Sequence, residues 1–140
     1  MDDPKIELVQ SWLTKARNDL GSARRLASDP EPYLDIAIYH CQQAAEKALK
    51  EFLVYHDIEF EKNHNLSILV DLCKGIEPSF QLFDDAAATL TPYATGYRYP
   101  NEFFEPNPDE QEVKEAIQLA QQIFDFIRDH LPEAARPRIK

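Results

Sequence analysis

The sequence predicts an all-α protein, an antiparallel up-and-down bundle of four to five helices. Apolar residues recur at steps of three and four along most of the chain, which is the spacing of one helical face. No segment shows sustained period-two alternation between turn signals, so no strand is expected. A chain of 140 residues suits a single core. We expect the bundle over residues 1–132 and a frayed tail over residues 133–140.

The first two predicted helices form an antiparallel pair. From Tyr33 to His56 a stripe covers some six turns, formed by Leu34, Ile38, Cys41, Ala45, Ala48 and Phe52. Its alanines allow another backbone to approach closely, so this helix is predicted to be central and the least exposed. The preceding helix opens at Pro4 and repeats through Ile6, Val9, Leu13, Ala16, Leu20, Ala23 and Ala27. The stretch Asp29-Pro30-Glu31-Pro32 ends it and turns the chain back.

Three further helices are predicted to complete the bundle. Asn63 or Asn65 caps a third helix that ends at Gly75, with apolar positions Leu66, Leu69, Val70 and Cys73. Pro78 opens a fourth, which Pro92 bends or frays, with Phe80, Phe83, Ala87, Leu90 and Ala94. Asn107 caps a fifth, with Pro108 at its first position, running to Leu131. Residues 93–108 are irregular but rich in aromatic side chains, and the part from Tyr97 to Phe104 is expected to lie against the bundle or across a dimer seam.

The charge balance excludes one broad class of function. A formal net charge of -10 argues against a general nucleic-acid or DNA binder, because such proteins neutralise many phosphates with lysine and arginine. The charge is uneven, however, and a local basic face is possible on the first helix, at Lys15, Arg17, Arg24 and Arg25. No apolar run is long enough to cross a bilayer and the N-terminus is acidic, so a soluble cytoplasmic chain without a membrane partner is expected.

Cysteine and histidine spacing gives no support for a metal site. Cys41 and Cys73 each lie on an apolar stripe outside any CxxC pair, which favours buried thiols over a disulfide. No two histidines lie four residues apart on a helix. The chain also has no glycine-rich phosphate loop, and we expect no cofactor.

Three motifs in combination resemble a known family. They are His40 within YHCQQAAEKALK (residues 39–50), His64-Asn65-Leu66 with Leu69, and the Tyr97-Arg98-Tyr99-Pro100 segment. Over residues 5–131 the chain resembles the HEPN family of small helical bundles. The resemblance implies a homodimer formed through the long helices. It also implies a minimal nucleotidyltransferase as partner in a toxin–antitoxin pair, with RNA cleavage in catalytic members.

The sequence departs from those catalytic members at one point. They carry an arginine followed four to six residues later by histidine, whereas Arg98 is followed at positions 102 to 105 by Glu, Phe, Phe and Glu. We therefore assign no catalytic residue and interpret the chain as a dimeric module that binds a nucleotide, an RNA phosphate or its partner protein. The residues predicted for that binding are His40, Gln43, Lys47, His64, Tyr97, Arg98 and Tyr99.

Other interpretations remain open for the chain and for its residues. The chain is alternatively a metal-independent ribonuclease toxin in which His40 replaces the missing histidine, or a purely structural homodimer. The polar positions of the second helix are alternatively a solvated face with a Glu46–Lys50 ion pair. His64 is alternatively a cap or a staple of the third helix. Arg98 alternatively stacks on its two neighbouring tyrosines and clamps the loop to the bundle.

Overall fold

A computed structural model describes residues 3–98, 100 and 107–136. Within those ranges the chain contains helices and no strand, which confirms the all-α prediction. The helices are α1 (Pro4–Ser28), α2 (Leu34–Tyr55), α3 (Leu66–Lys74), α4 (Asp84–Leu90) and α5 (Glu110–Asp129). Among the described residues, no helix combines the length and apolar composition needed to cross a bilayer.

The helix α2 lies at the centre of the bundle, as predicted. It packs against α1, α3, α5 and the short turn after α4. The backbone amide of Tyr33 donates to the carbonyl of Leu26 at 3.1 Å, and Lys5 pairs with Asp57 at 3.0 Å at the other end. These two contacts fix α1 and α2 as an antiparallel pair. Twelve of the 22 residues of α2 are buried, a larger share than in any other described helix.

Aromatic rings fill the core where α2, α5 and the segment before α4 meet. The Phe80 ring lies 4.8 Å from that of Phe52 and 4.9 Å from that of Phe126, centroid to centroid. Phe83 also contacts Phe126, at 5.1 Å. Tilted and edge-to-face pairs of this kind add to the stability that burial of the rings provides.

Both cysteines are buried and unpaired, as predicted. Burial raises the pKa of the Cys41 thiol to about 12, and burial together with the charge of Glu51 does the same for Cys73. Both thiols are therefore protonated, and unreactive as nucleophiles, at neutral pH.

Two of the predicted helices differ from the predictions. The predicted fourth helix is divided into a 3₁₀ turn (Pro78–Phe83), α4 and a second 3₁₀ turn (Thr91–Ala94), with a proline near the start of each turn. The cap of α5 is Asp109, whose carboxylate accepts from the amide of Glu112 at 2.8 Å, and not Asn107. Both candidate caps are followed by glutamate three residues later, so the capping pattern alone does not choose between them.

The end of the described chain also differs from expectation. A 3₁₀ turn spans Glu133–Ala135, and Ala135 is fully buried. The carbonyl of Ala134 accepts from the side chain of Gln10 at 2.7 Å. The turn over Glu133–Ala135 is therefore packed against α1, where frayed residues were expected from position 133.

Candidate functional site

Asp19 is the centre of the polar cluster between α1 and α2. Its side chain projects from α1 onto α2 and is only 10% exposed. One carboxylate oxygen lies 2.8 Å from Nδ1 of His40, and the other lies 2.6 Å from Nζ of Lys47. His40 and Lys47 are seven residues apart, which places them two turns apart on the same face of α2. The antiparallel packing of the two helices thus brings one acid between two basic side chains.

The ionisation of Asp19 follows from these partners. Burial alone raises the pKa of this carboxyl, but hydrogen bonds from His40 and Lys47 and the positive charge beside it outweigh burial. Its pKa therefore lies below the ordinary value, and the group is a carboxylate at neutral pH. A carboxylate can only accept, so Nδ1 of His40 carries a hydrogen. The other ring nitrogen, Nε2, is the atom that accepts in the neutral ring and donates in the charged ring.

Arg98 stacks on Tyr39, the residue that precedes His40 in α2. The guanidinium carbon is 4.5 Å from the centroid of the Tyr39 ring, a cation–π geometry. Tyr39 in turn contacts His40 edge to face, with centroids 5.6 Å apart. Arg98 was predicted to stack on the tyrosines next to it in sequence. The structure shows it stacked on a tyrosine of α2, Tyr39.

Glu112 anchors the segment that carries Arg98. Its two carboxylate oxygens accept from the hydroxyls of Tyr93 at 2.8 Å and Tyr97 at 2.9 Å. Burial, together with the neighbouring Glu112 carboxylate, raises the pKa of Tyr93 and keeps its hydroxyl protonated. The predicted contact between the aromatic loop and the bundle is confirmed through Tyr97, whereas Tyr99, Phe103 and Phe104 lie outside the described residues.

A second polar cluster joins α2 to the connection before α3. Glu46 is 5% exposed and accepts from Gln42 at 3.1 Å, from Lys50 at 3.0 Å and from Nδ1 of His64 at 2.7 Å. Burial opposes its ionisation, but these three donors outweigh burial and lower its pKa. The carbonyl of His64 also accepts from Gln42, at 3.1 Å.

This second cluster corrects two interpretations. The Glu46–Lys50 pair exists, but Gln42 and Glu46 are buried, so this is not a solvated face. The cap of α3 is Asn65, which accepts from the amide of Ser67 at 2.9 Å, and His64 instead ties the connection to α2. The structure thus separates His64 from the cluster around Asp19.

The predicted binding residues therefore fall into several groups. His40 and Lys47 meet at Asp19, and Arg98 stacks on Tyr39, the residue before His40. Gln43 donates to the side chain of Gln42 at 2.7 Å, on the margin of the second cluster. No group of histidine, cysteine and acidic side chains suited to a metal ion occurs in the part of the chain that the structure describes.

Asp19 and Tyr39 are the site residues that the sequence analysis missed. Asp19 lies next to Leu20 on the buried side of α1, as one of four buried polar or charged residues in the described chain. An acid on the apolar side of a helix was a usable signal, because charged residues are rarely buried without a partner.

Comparison with known proteins agrees with this architecture. A model of the HEPN domain family matches residues 9–130. The protein TT1696 from Thermus thermophilus is 26% identical, with a TM-score of 0.75 over 88% of this chain and 98% of its own. ST0689, described as an archaeal HEPN homologue, is 28% identical, with a TM-score of 0.67 over 86% of this chain and 95% of its own. No curated protein sequence is significantly similar to the chain. Because the family model spans most of the sequence, the chain belongs to the HEPN domain family.

Proposed function

We propose that this HEPN chain is a binding module that forms a homodimer, associates with a minimal nucleotidyltransferase, and holds a nucleotide or RNA phosphate beside Arg98 and His40. The observation that carries the phosphate part is the placement of Arg98 on Tyr39, next to the histidine that Asp19 orients. Arginine is suited to phosphate because its planar guanidinium offers several donors at once.

Exposure favours Arg98 over Lys47 as the phosphate contact. The Asp19 carboxylate lies 2.6 Å from the Lys47 ammonium, so these two charges compensate each other. Arg98 is exposed and carries its guanidinium on the ring of Tyr39. His40, which Asp19 holds by Nδ1, adds a second polar side chain. Lys47 then acts through Asp19 as a positioning residue.

The association part of the proposal is supported by exposed apolar side chains. Residues of this kind on the described surface are Leu8, Tyr33, Ile36, Ile68 and Leu82. Large aromatic and aliphatic side chains supply the central contacts of many protein interfaces. Family resemblance supplies the expected identities of the partners, a second copy and a nucleotidyltransferase.

Titration calorimetry with ATP and with a short single-stranded RNA tests the phosphate site. We expect Arg98→Ala and His40→Ala to weaken binding by about tenfold or more each, since charge-assisted hydrogen bonds contribute about 1.5–3 kcal/mol. Arg128→Ala is the matched control, because Arg128 pairs with Asp125 and Asp129 on α5. Equal affinity in all variants, or no binding by the parent chain, would refute the phosphate site and favour a purely structural homodimer.

Co-purification tests the partner. A tagged chain expressed in its native cell should retain a small nucleotidyltransferase, and the eluted complex should have a mass above that of the homodimer. Recovery of the homodimer alone would contradict this part of the proposal and leave the phosphate site to be judged by calorimetry.

One observation favours a second function, a metal-independent ribonuclease. Asp19 holds His40 by Nδ1, and a carboxylate that orients an imidazole in this way prepares Nε2 for general acid–base work. Arg98 would place the phosphate.

An RNA-cleavage assay in chelator separates the two functions. A nuclease should lose activity in His40→Ala and lose most of it in Asp19→Asn, which removes the carboxylate that orients the imidazole. Intact RNA with the parent chain would eliminate this candidate.

A further inference from the structure

A groove beside α3 exposes apolar side chains that the described chain leaves uncovered. It has a volume of about 350 Å³ and lies between α3 and the connection that precedes this helix. The residues that line it are Glu59, Phe60, Glu61, Asn63, Ile68 and Leu72. The polar cluster around Asp19 lies between α1 and α2 instead, so the groove is separate from the proposed phosphate site.

Ile68 and Leu72 form an apolar row on α3 outside its buried face. The residues of α3 that enter the core are Leu66, Leu69, Val70 and Cys73. Ile68 lies four residues before Leu72, so the two side chains are neighbours one turn apart. Ile68 is 47% exposed, and isoleucine is a poorer helix former than lysine, glutamine or glutamate. Neither the core nor helix formation therefore requires isoleucine at this position.

Two exposed carboxylates lie at the rim of this groove. Glu59 and Glu61 are both exposed, and neither forms an ion pair with a described residue. The surrounding sequence is acidic as well, because residues 57–85 contain seven acids and two lysines. Their net charge of -5 is half of the -10 that the whole chain carries. The apolar row is therefore surrounded by negative charge.

The neighbouring lysines do not cancel this charge. Lys74 is shared by two acids outside the groove, at 3.2 Å and 2.6 Å. Lys50 contacts the ring of Phe60 but is paired with Glu46 at 3.0 Å. Lys62 is not one of the residues that line the groove. A positive charge that complements the two glutamates therefore has to come from another molecule.

We propose that this groove binds a basic amphipathic segment of a partner protein. An apolar side chain of that segment would pack against Ile68 and Leu72, and its lysines or arginines would lie beside Glu59 and Glu61. Amphipathic helices bind apolar grooves in this way, and opposite charges across an interface direct the choice of partner. The proposal requires neither the phosphate site nor a nucleotidyltransferase partner.

The charge of the groove argues against other occupants. Nucleic acids and anionic lipid surfaces carry negative charge, which the two exposed glutamates would repel. A second copy of the chain also has a net charge of -10, so like charges would oppose its approach. A basic protein segment is the occupant that matches both the apolar row and the acidic rim.

Fluorescence anisotropy with a labelled basic peptide tests the proposal. The probe is a helical peptide of lysine and alanine with two leucines four positions apart, so that the leucines share one face. We expect binding at about 50 mM salt and at least tenfold weaker binding at about 500 mM, because salt screens exposed charges. Matched probes in which alanine replaces the leucines, or glutamate replaces the lysines, should also bind at least tenfold more weakly.

Two variants locate the peptide at the groove. Ile68→Ala removes an apolar contact and Glu61→Lys reverses a rim charge, and each should weaken binding by about tenfold. The matched controls are Leu8→Ala, at a similarly exposed apolar position on α1, and Glu31→Lys, at an exposed position before α2. Both controls should bind as the parent does. Alanine is the better helix former, and Glu61 lies outside the helices, so both groove variants should fold.

Three results would overturn the proposal. They are no binding at about 50 mM salt, equal binding by the parent and both groove variants, and equal binding of the probe without leucine, which would reduce the contact to charge attraction. Light scattering identifies a second copy as the occupant. If Ile68→Ala or Glu61→Lys lowers the mass of the particle that the parent forms, the groove is an interface between copies and not a site for a basic partner.

Discussion

Glu51 should make the protein less stable as the pH rises from 5 to 8. It lies on α2, is fully buried, and neither carboxyl oxygen has a hydrogen-bond partner among the described residues. Burial raises its pKa to about 9, so the native state holds this proton at neutral pH. In the unfolded chain a glutamate has a pKa of about 4.3.

The direction of the effect follows from proton linkage. The native state binds the proton more tightly than the unfolded state, so the contribution of Glu51 to stability is complete below about pH 4.3. It declines through neutral pH and is lost above the native value of about 9. Each pH unit between these limits costs about 1.4 kcal/mol, which makes the native state about 3 kcal/mol less stable at pH 7 than at pH 5 from this group alone.

Urea denaturation of the parent chain and of Glu51→Gln at pH 5, 6, 7 and 8 measures this quantity. The glutamine is nearly isosteric and does not titrate, so the variant should gain about 3 kcal/mol relative to the parent between pH 5 and pH 7. Taking the difference at each pH cancels the contributions of groups that the substitution does not affect.

Two companion variants complete the experiment. Glu51→Met removes the buried polar atoms and should exceed the parent in stability at pH 7. Glu59→Gln, at an exposed position, should differ from the parent by the same amount at every pH. If the curves of the parent and Glu51→Gln run parallel, Glu51 has a partner or access to solvent, and the reasoning is wrong.

Three other variants test the polar clusters and the end of the chain. Asp19→Asn should cost about 2–3 kcal/mol in urea denaturation at pH 7, against a small effect of the exposed Asp29→Asn, because it leaves two basic side chains without their carboxylate. That difference should shrink below about pH 4, because the pKa of Asp19 is lowered in the native state and its contribution is lost as acid protonates it. Glu46→Gln should speed amide hydrogen exchange in the connection over residues 57–65 that His64 ties to α2, and unchanged exchange would contradict the role of that cluster. Ala135→Asp should lower stability by about 2–3 kcal/mol because it buries a charge, whereas the same change at its exposed neighbour in position 134 should not.

The sequence alone predicts the helices in which buried residues recur at regular spacing. Positions such as Leu13 and Leu20 in α1, or Ile38 and Ala45 in α2, are buried where their spacing predicts. The fourth helix was less predictable because a proline near each end competes with the α-helical hydrogen bonds, and the chain forms 3₁₀ turns there instead.

The polar clusters could not be predicted in the same way, because they depend on contacts between distant segments. His40 and Lys47 share a face by spacing alone, but placing Asp19 between them requires the register of α1 against α2. The spacing of Glu46 indicates a solvated residue, and only the folding of the connection that carries His64 buries it.

Cys41 and Cys73 give the protein two internal reporters of conformational opening. Alkylating reagents attack thiolates, and the native environment keeps both sulfurs protonated and covered. Modification must therefore wait until the surrounding helices separate. One sulfur lies in the middle of α2 and the other in α3, so their separate labelling rates would compare how often the centre of the bundle and its short third helix come apart.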